Sequence, residues 1–292
     1  RIALLIGIVS LPMHIFKTQA ELKQHLSGQQ YSGKSIGFVP TMGNLHQGHL
    51  ELVRRARGAA QRVVVSVFVN PMQFGPGEDF NSYPRTLEQD RAKLAAEGVD
   101  LLFAPGVEAI YPHGSGETTR IEVPQVSRGL CADFRPGHFT GVATVVGRLF
   151  NLVQPDVAVF GEKDFQQLAV IRRMVEDLGW PVEIAALPTV REPDGLAMSS
   201  RNQYLTAQER QRAPVLYRTL CEVAARLRNG ESSFTGLESG AAQTLRNSGF
   251  EPDYVAIRNA LTLEVPAGAG TPQVVLAAAH LGKARLIDNV RV

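Results

Sequence analysis

Residues 63–69 read VVVSVFV: five valines and a phenylalanine around one serine. β-branched side chains lose rotamer freedom in a helix and pack well on a pleated surface, so a continuous run of them marks a strand buried on both faces. Such a strand needs cover above and below, which in a single chain comes from helices. The surroundings agree. Short apolar runs at 35–39, 100–104, 157–160 and 182–187 predict further strands. Amphipathic stretches at 48–61, 86–97, 140–153 and 164–178 predict helices, the first with Leu50, Val53, Ala56 and Ala60 at helical spacing. Strands alternating with helices over short connections imply right-handed βαβ units on a parallel sheet.

The pattern changes after Pro188. Residues 188–203 carry two prolines, a glycine and several polar side chains, and read as a hinge and loop. A long helix is predicted over 206–229, with Thr206 as N-cap and Glu209 completing a capping box, and another over 235–247. Strands follow at 253–258, 273–281 and 284–290, the last two joined by a turn near Gly282. The expected division is therefore an α/β domain over 13–188 and a smaller α+β C-terminal lid domain over 189–292. Residues 1–12, RIALLIGIVSLP, are apolar, lack a small-residue cleavage site and are shorter than the roughly 20 residues that span a bilayer. They are expected to be an N-terminal extension outside the fold.

Charge narrows the partners. Thirty Lys and Arg against 28 Asp and Glu leave a formal +2. That speaks against a nucleic-acid track or a polybasic membrane surface, and leaves room for small anions at a local positive site. The two cysteines, Cys131 and Cys221, are far apart and have no CxxC partner, so neither a disulfide framework nor a structural zinc site is expected. A reducing, cytoplasmic location is the default.

The densest chemistry lies where the first long helix opens, at PTMGNLHQGH (residues 40–49). Ligands of open α/β sheets bind at the carboxyl ends of strands, and a helix N-terminus offers free N–H groups and a positive dipole end to phosphate. His46 and His49 stand three apart at that helix start, and Gly48 lets the backbone approach a ligand closely. Two imidazoles there can donate to phosphate oxygens as charge moves toward a leaving group. The stretch is not a Walker A loop, a GxGxxG fingerprint or an HExxH zinc site. Two solvent-exposed helix-capping histidines are the plain structural alternative.

Three other stretches follow predicted strands. In MSSRN (198–202), two hydroxyls and Arg201 can clamp a polyphosphate. In FGEKDFQQ (160–167), Lys163 falls at the sheet's carboxyl edge, Asp164 is a candidate helix cap and Gln167 lies one turn on. In FVNPMQF (68–74), Asn70 and Gln73 offer neutral amides suited to a substrate bearing hydroxyl and carboxylate oxygens. Residues 75–85, GPGEDFNSYPR, read equally as a mobile flap or a surface loop.

HxGH resembles the nucleotide-binding signature of the nucleotidylyltransferase and class I aminoacyl-tRNA synthetase superfamily, and MSSRN resembles its mobile phosphate loop. Together VPTMGNLHQGH, VSVFVNPMQF, YPRT, FGEKDFQQL, DGLAMSSRN and the closing LAAAHLGKARLIDNV closely resemble the pantoate–β-alanine ligase family, from about Met13 to the C-terminus. The resemblance implies a Rossmann-like parallel sheet with an HxGH nucleotide site. It also implies a two-step reaction: ATP and the carboxylate of (R)-pantoate form a pantoyl adenylate and release pyrophosphate, then the amine of β-alanine displaces AMP to give pantothenate. Such chemistry needs positioning and charge stabilisation but no nucleophilic side chain.

By the family pattern, His46, His49, Lys163, Ser199, Ser200 and Arg201 contact the ATP phosphates. Met42, Gly48, Gly161, Asp164, Val190 and Met198 complete the nucleotide site. Gln73 and Gln167 hold pantoate, with Val145, Val146, Leu149 and Phe160 as an apolar wall for its gem-dimethyl group. Asn70, Arg135 and His138 lie near the β-alanine entry. Mg²⁺ arrives with the triphosphate, and Asp90, preceded here by Gln89, is the matching carboxylate. A homodimer is implied, with no nucleic acid and no membrane as partners. The competing readings are another HxGH-superfamily nucleotidylyltransferase acting on a phosphorylated alcohol, and a nucleotide sensor or RNA-binding relative. The first would need cations for an acceptor phosphate where this chain has Gln73 and Gln167. The second fits poorly with near-neutral charge and an intact HxGH, Lys163 and Arg201.

Overall fold

The valine run forms a strand with no water on either face: Val63, Val64 and Val65 are buried at the centre of a parallel sheet. The computed structural model describes residues 13–28, 32–268 and 270–292; the N-terminal extension expected at 1–12 lies outside them. In chain order the first part contains β1 (His14–Phe16), α1 (Gln19–Leu26), β2 (Ile36–Thr41), α2 (Gln47–Ala59) and β3 (Arg62–Val67). It continues with α3 (Leu87–Ala96), β4 (Leu101–Phe103), α4 (Val107–Ile110), α5 (Cys131–Phe134), α6 (His138–Val153), β5 (Val157–Gly161), α7 (Phe165–Leu178) and β6 (Glu183–Leu187). The sheet order is β1-β4-β3-β2-β5-β6, with every pairing parallel.

The strand order reverses between β2 and β5. Chain connections run outward from β2 through β3 to β4, and outward from β5 to β6, so the crossovers part above these two strand ends and leave a crevice there. HxGH leaves β2 and the FGEKDFQQ stretch leaves β5, which brings residues more than 100 positions apart to one rim. Helix α6 fills one side of the sheet with Val142, Val145, Val146, Leu149 and Phe150 against Phe38 and Phe160, while Leu52, Val53 and Ala56 of α2 pack on the other.

The second part contains α8 (Ala207–Arg212), α9 (Val215–Arg228), α10 (Phe234–Asn247), β7 (Glu251–Asn259), β8 (Gln273–Leu281) and β9 (Ala284–Arg291). The three strands form an antiparallel sheet whose core joins Leu216, Leu220, Leu237 and Leu245 to Ile257 and Val275. Arg191 reaches from the loop after β6 to Asp288 of β9 in two bonds of 2.6 and 2.9 Å, and Asn289 Nδ2 donates to the carbonyls of Glu162 and Lys163. These contacts anchor the loop bearing MSSRN beside the end of β5. Among the described residues no helix is long and apolar enough to cross a membrane.

One expectation needs correction. The helix predicted over 206–229 is two helices, because Pro214 brings no N–H to the ladder and stands as the N-cap of α9. The capping box of Thr206 and Glu209 is present, but it starts only the first of them. Near the N-terminus, residues 14–26 form an edge strand and a helix that the apolar pattern did not separate; Thr18 and Glu21 make a second capping box there.

Candidate active site

The turn after β2 has two consecutive left-handed residues, Gly43 at φ 81° and Asn44 at φ 50°. They reverse the chain so that His46 becomes the N-cap of α2. His46 Nδ1 accepts from the backbone N–H of Gly48 at 3.2 Å, and His49 Nδ1 accepts from the backbone N–H of His46 at 3.3 Å. The rings lie 4.1 Å apart. The capping bonds of the plain alternative are present, but the rings are drawn out of solvent into the cleft lining, and the capping has a chemical consequence. An imidazole accepting at Nδ1 carries its proton at Nε2, so both rings keep one N–H for a ligand. Burial, then the charge of Lys163, pushes His46 down to about 4. Burial, then His46 and Lys163, holds His49 well below the usual value of 6.5. Both are neutral N–H donors at neutral pH.

Lys163 and Asp164 belong to a tight turn, Glu162–Asp164, between β5 and α7. Asp164 occupies the N-cap position of α7 but makes no capping bond, contrary to expectation; its carboxylate stands 3.8 Å from Lys163 Nζ. MSSRN approaches from the opposite side. Ser199 Oγ accepts from the N–H of Arg201 at 3.2 Å, and Ser200 Oγ donates to the carbonyl of Asn44 at 3.1 Å, tying this loop directly to the HxGH turn. Arg201 forms a paired contact with Asp79 of the 75–85 segment, at 3.0 and 2.8 Å, and its guanidinium lies 5.7 Å from the Tyr83 ring.

One cleft is lined by Met42, His46, Gly48, His49, Gly161, Lys163, Asp164, Val190, Met198, Ser199, Ser200 and Arg201. The same cleft continues past Gln73 and Gln167 to a wall of Val145, Val146, Leu149 and Phe160. Asn70 also reaches the lining, though it is buried and fully occupied: Nδ2 donates to Gln73 Oε1 and to the Gly141 carbonyl, and Oδ1 accepts from Tyr111 Oη at 2.8 Å. With Oε1 engaged by Asn70, Gln73 turns its Nε2 toward Met42 Sδ, 2.9 Å away, on the cleft side. Gln73 therefore presents N–H groups, which suit carboxylate and hydroxyl oxygens.

Arg135, His138 and Asp90 are not brought into the lining. His138 Nδ1 and Arg135 Nη2 both donate to the backbone carbonyl of Gln73, Arg135 Nη1 donates to His138 Nε2, and the guanidinium also pairs with Glu78 at 2.9 and 2.7 Å. They brace Gln73 from behind instead of facing the cleft. Burial, then the charge of Arg135, pushes His138 down to about 4, consistent with Nε2 acting as an acceptor. Asp90 is fully buried, with Oδ1 taking the N–H of Leu45 at 2.7 Å and Oδ2 that of Asn44 at 2.9 Å. Both oxygens being committed to backbone, Asp90 does not fit a Mg²⁺ ligand. Asp164 is the carboxylate on the cleft, and one such group suits a Mg²⁺ held mainly by phosphate oxygens and water. Among the described residues no group of three or more His, Cys, Asp or Glu could hold a metal.

Sequence reading missed Lys93, Tyr111 and Gln166. Lys93 Nζ donates to the Leu45 carbonyl at 2.6 Å; its i, i+3 spacing from Asp90 on a helix was the available clue. Gln166 is buried and gathers the carbonyls of Val126, Arg128 and Gly129 and the N–H of Cys131, supporting the segment before α5. Nothing in the local sequence separates it from its neighbour Gln167.

A family model described as pantoate-beta-alanine ligase matches residues 14–291. A pantothenate synthetase of Stutzerimonas stutzeri (strain A1501) is 56% identical over 280 residues, covering 96% of this chain and 98% of its own. The crystal structure of pantothenate synthetase from Thermus thermophilus superposes with a TM-score of 0.87 at 51% identity, covering 95% of this chain and 99% of that one. That of a pantoate-beta-alanine ligase from Francisella tularensis, complexed with beta-gamma ATP and beta-alanine, gives a TM-score of 0.78 at 33% identity, covering 96% and 97%.

Proposed function

Since the chain belongs to the pantoate–β-alanine ligase family and so carries out the ATP-dependent condensation of pantoate with β-alanine, we propose how its own residues divide that work. The observation that carries the reading is the convergence on one cleft of two Nε2–H imidazoles, Lys163 and Arg201, with Gln73, Gln167 and an apolar wall beyond them. His46, His49, Lys163, Ser199, Ser200 and Arg201 take the triphosphate, and Met42, Gly48, Gly161, Val190 and Met198 shape the nucleotide cleft. Gln73 and Gln167 hold pantoate by its oxygens, while Val145, Val146, Leu149 and Phe160 receive its methyl groups.

A carboxylate oxygen of pantoate attacks the α-phosphorus. The bond from that phosphorus to the bridging oxygen breaks, and pyrophosphate leaves with the electron pair. Negative charge grows on the leaving phosphates, where the imidazole N–H groups and Lys163 are prearranged to meet it. The neutral amine of β-alanine then adds to the carbonyl of the pantoyl adenylate. The C–O bond to AMP breaks, and the nitrogen loses a proton. Asn70, Arg135 and His138 act on these substrates through Gln73. Asp164 is the cleft carboxylate that would reach a Mg²⁺ bound with the triphosphate, and such an ion would offset part of the polyphosphate charge. The segment 189–292 serves as a lid domain on the domain of residues 13–188, and the proposal includes a cytoplasmic homodimer.

The deciding experiment is exchange of labelled pyrophosphate into ATP with pantoate present and β-alanine omitted. Exchange is expected if an acyl adenylate forms. Strict dependence on β-alanine would replace the two-step reading with a concerted one.

A further inference from the structure

Asp90 and Lys93 stand one turn apart on α3, beneath the HxGH turn and outside the cleft. Their three polar atoms grip three backbone groups of Asn44 and Leu45 in that turn, and the Asn44 carbonyl between them is held by Ser200. Asp90 takes the N–H groups of Asn44 and Leu45, and Lys93 takes the Leu45 carbonyl. Thr86 Oγ1 donates to Asp90 Oδ2 at 3.2 Å, fixing the carboxylate itself. The gripped backbone passes through the left-handed region at Gly43 and Asn44, a conformation that Asn tolerates but that the clamp selects over the others open to it. Gly43 cannot be replaced cheaply: an added Cβ would meet Val67 at 3.0 Å and Asp90 Oδ2 at 3.1 Å on top of its positive φ. Leu45 is followed at once by His46, so the plane of the Leu45 peptide sets where the capping imidazoles begin.

We propose that Asp90 and Lys93 are positioning residues for phosphate transfer, a clamp that fixes both imidazoles with Nε2–H toward the triphosphate, and that Asp90 is not a metal ligand. The proposal rests on the reading that His46 and His49 contact the phosphates. Asp90→Asn keeps the shape but sets an amide N–H₂ against a backbone N–H, donor against donor. Lys93→Met removes the bond to Leu45 and leaves Asp90 intact.

The test is pantoate-dependent pyrophosphate exchange at varied Mg²⁺, together with ¹⁵N shifts of the imidazoles, on the full chain. In Asp90→Asn the exchange kcat is expected to fall about tenfold to a hundredfold, the order seen when reacting groups are misplaced. The Mg²⁺ concentration at half-maximal rate and the KM for pantoate should not move. The His46 and His49 shifts should change from a pure Nε2–H form to a tautomer mixture, which a general loss of stability would not produce. Lys93→Met should shift the same quantities in the same direction by less. An unchanged tautomer with a several-fold higher Mg²⁺ requirement in Asp90→Asn would make that residue a metal ligand and overturn the proposal, as would wild-type kinetics in both variants. If Asp90→Asn fails to fold, Lys93→Met decides by the same readouts. His46→Ala and His49→Ala separate the two levels: wild-type exchange in both sinks the phosphate reading itself. Slow exchange in those two with normal exchange in the clamp variants sinks only the clamp.

Discussion

The Arg201 guanidinium, on the loop expected to clamp phosphate, is held by the Asp79 carboxylate of the 75–85 segment through Nε–Oδ2 and Nη2–Oδ1 bonds of 3.0 and 2.8 Å. The preceding residue, Glu78, makes an equivalent paired contact with Arg135 on the other side of Gln73. Residues 78 and 79 thus tie the 75–85 segment to both the MSSRN loop and the brace behind Gln73.

A nucleotide that uses Arg201 must compete with Asp79. The pair is partly exposed, at 25% and 21% for the two side chains, so it contributes about 1 kcal/mol at most. Removing it in Asp79→Asn should lower the KM for ATP by up to about fivefold, since about 1.4 kcal/mol is tenfold. Steady-state kinetics at fixed pantoate measures this. A raised KM would mean that Asp79 orients Arg201 for ATP instead of masking it.

Acid should act on folding through the histidines. His46 and His138 titrate near 4 in the folded protein, below the usual 6.5. Their folded pKa is depressed, so the unfolded chain binds more protons between those values, and stability falls as pH drops from about 6.5 toward 4. Urea unfolding across that range should show the slope, and His138→Gln should reduce it. The acid limb of kcat/KM for ATP should lie well below 6.5. An inflection at 6.5 would show that the cleft imidazoles titrate at their ordinary value and are not kept neutral by burial.

Gly141 on α6 packs against the turn that presents Gln73. An added Cβ would run into the Met72 carbonyl oxygen and come within 2.8 Å of the Gln73 nitrogen. Alanine gains about 1 kcal/mol in helix propensity over glycine, whereas overpacking costs about 1–3 kcal/mol. Here the obstacle is backbone that cannot swing aside, so the cost should win. Gly141→Ala is expected to lower the unfolding midpoint and raise the KM for pantoate, and a variant with higher stability and an unchanged KM would show that the turn moves freely.

Much of this was legible because each motif is local. HxGH, FGEKDFQQ and MSSRN each follow a strand, and the rule that ligands gather at strand carboxyl ends was enough to expect them together. Asp90 was misread for the opposite reason. It matches the family's metal carboxylate by position alone, while its partners, Asn44 and Leu45, are 46 and 45 residues away. Arg135 and His138 were placed in the right region but on the wrong side of Gln73, since a motif names a neighbourhood and not the direction of a side chain. Pro214 was overlooked inside a helical pattern although its missing N–H was visible in the sequence.

By itself the sequence determined the strand and helix alternation and the family, and it pointed to HxGH as the phosphate site, because periodicity and short motifs are set by residues close along the chain. Only the tertiary structure decided which carboxylates and guanidiniums face the cleft and which are consumed by backbone or by each other. Those choices depend on hydrogen bonds between distant segments, and a buried polar group takes whatever partner the packing of the whole fold brings to it.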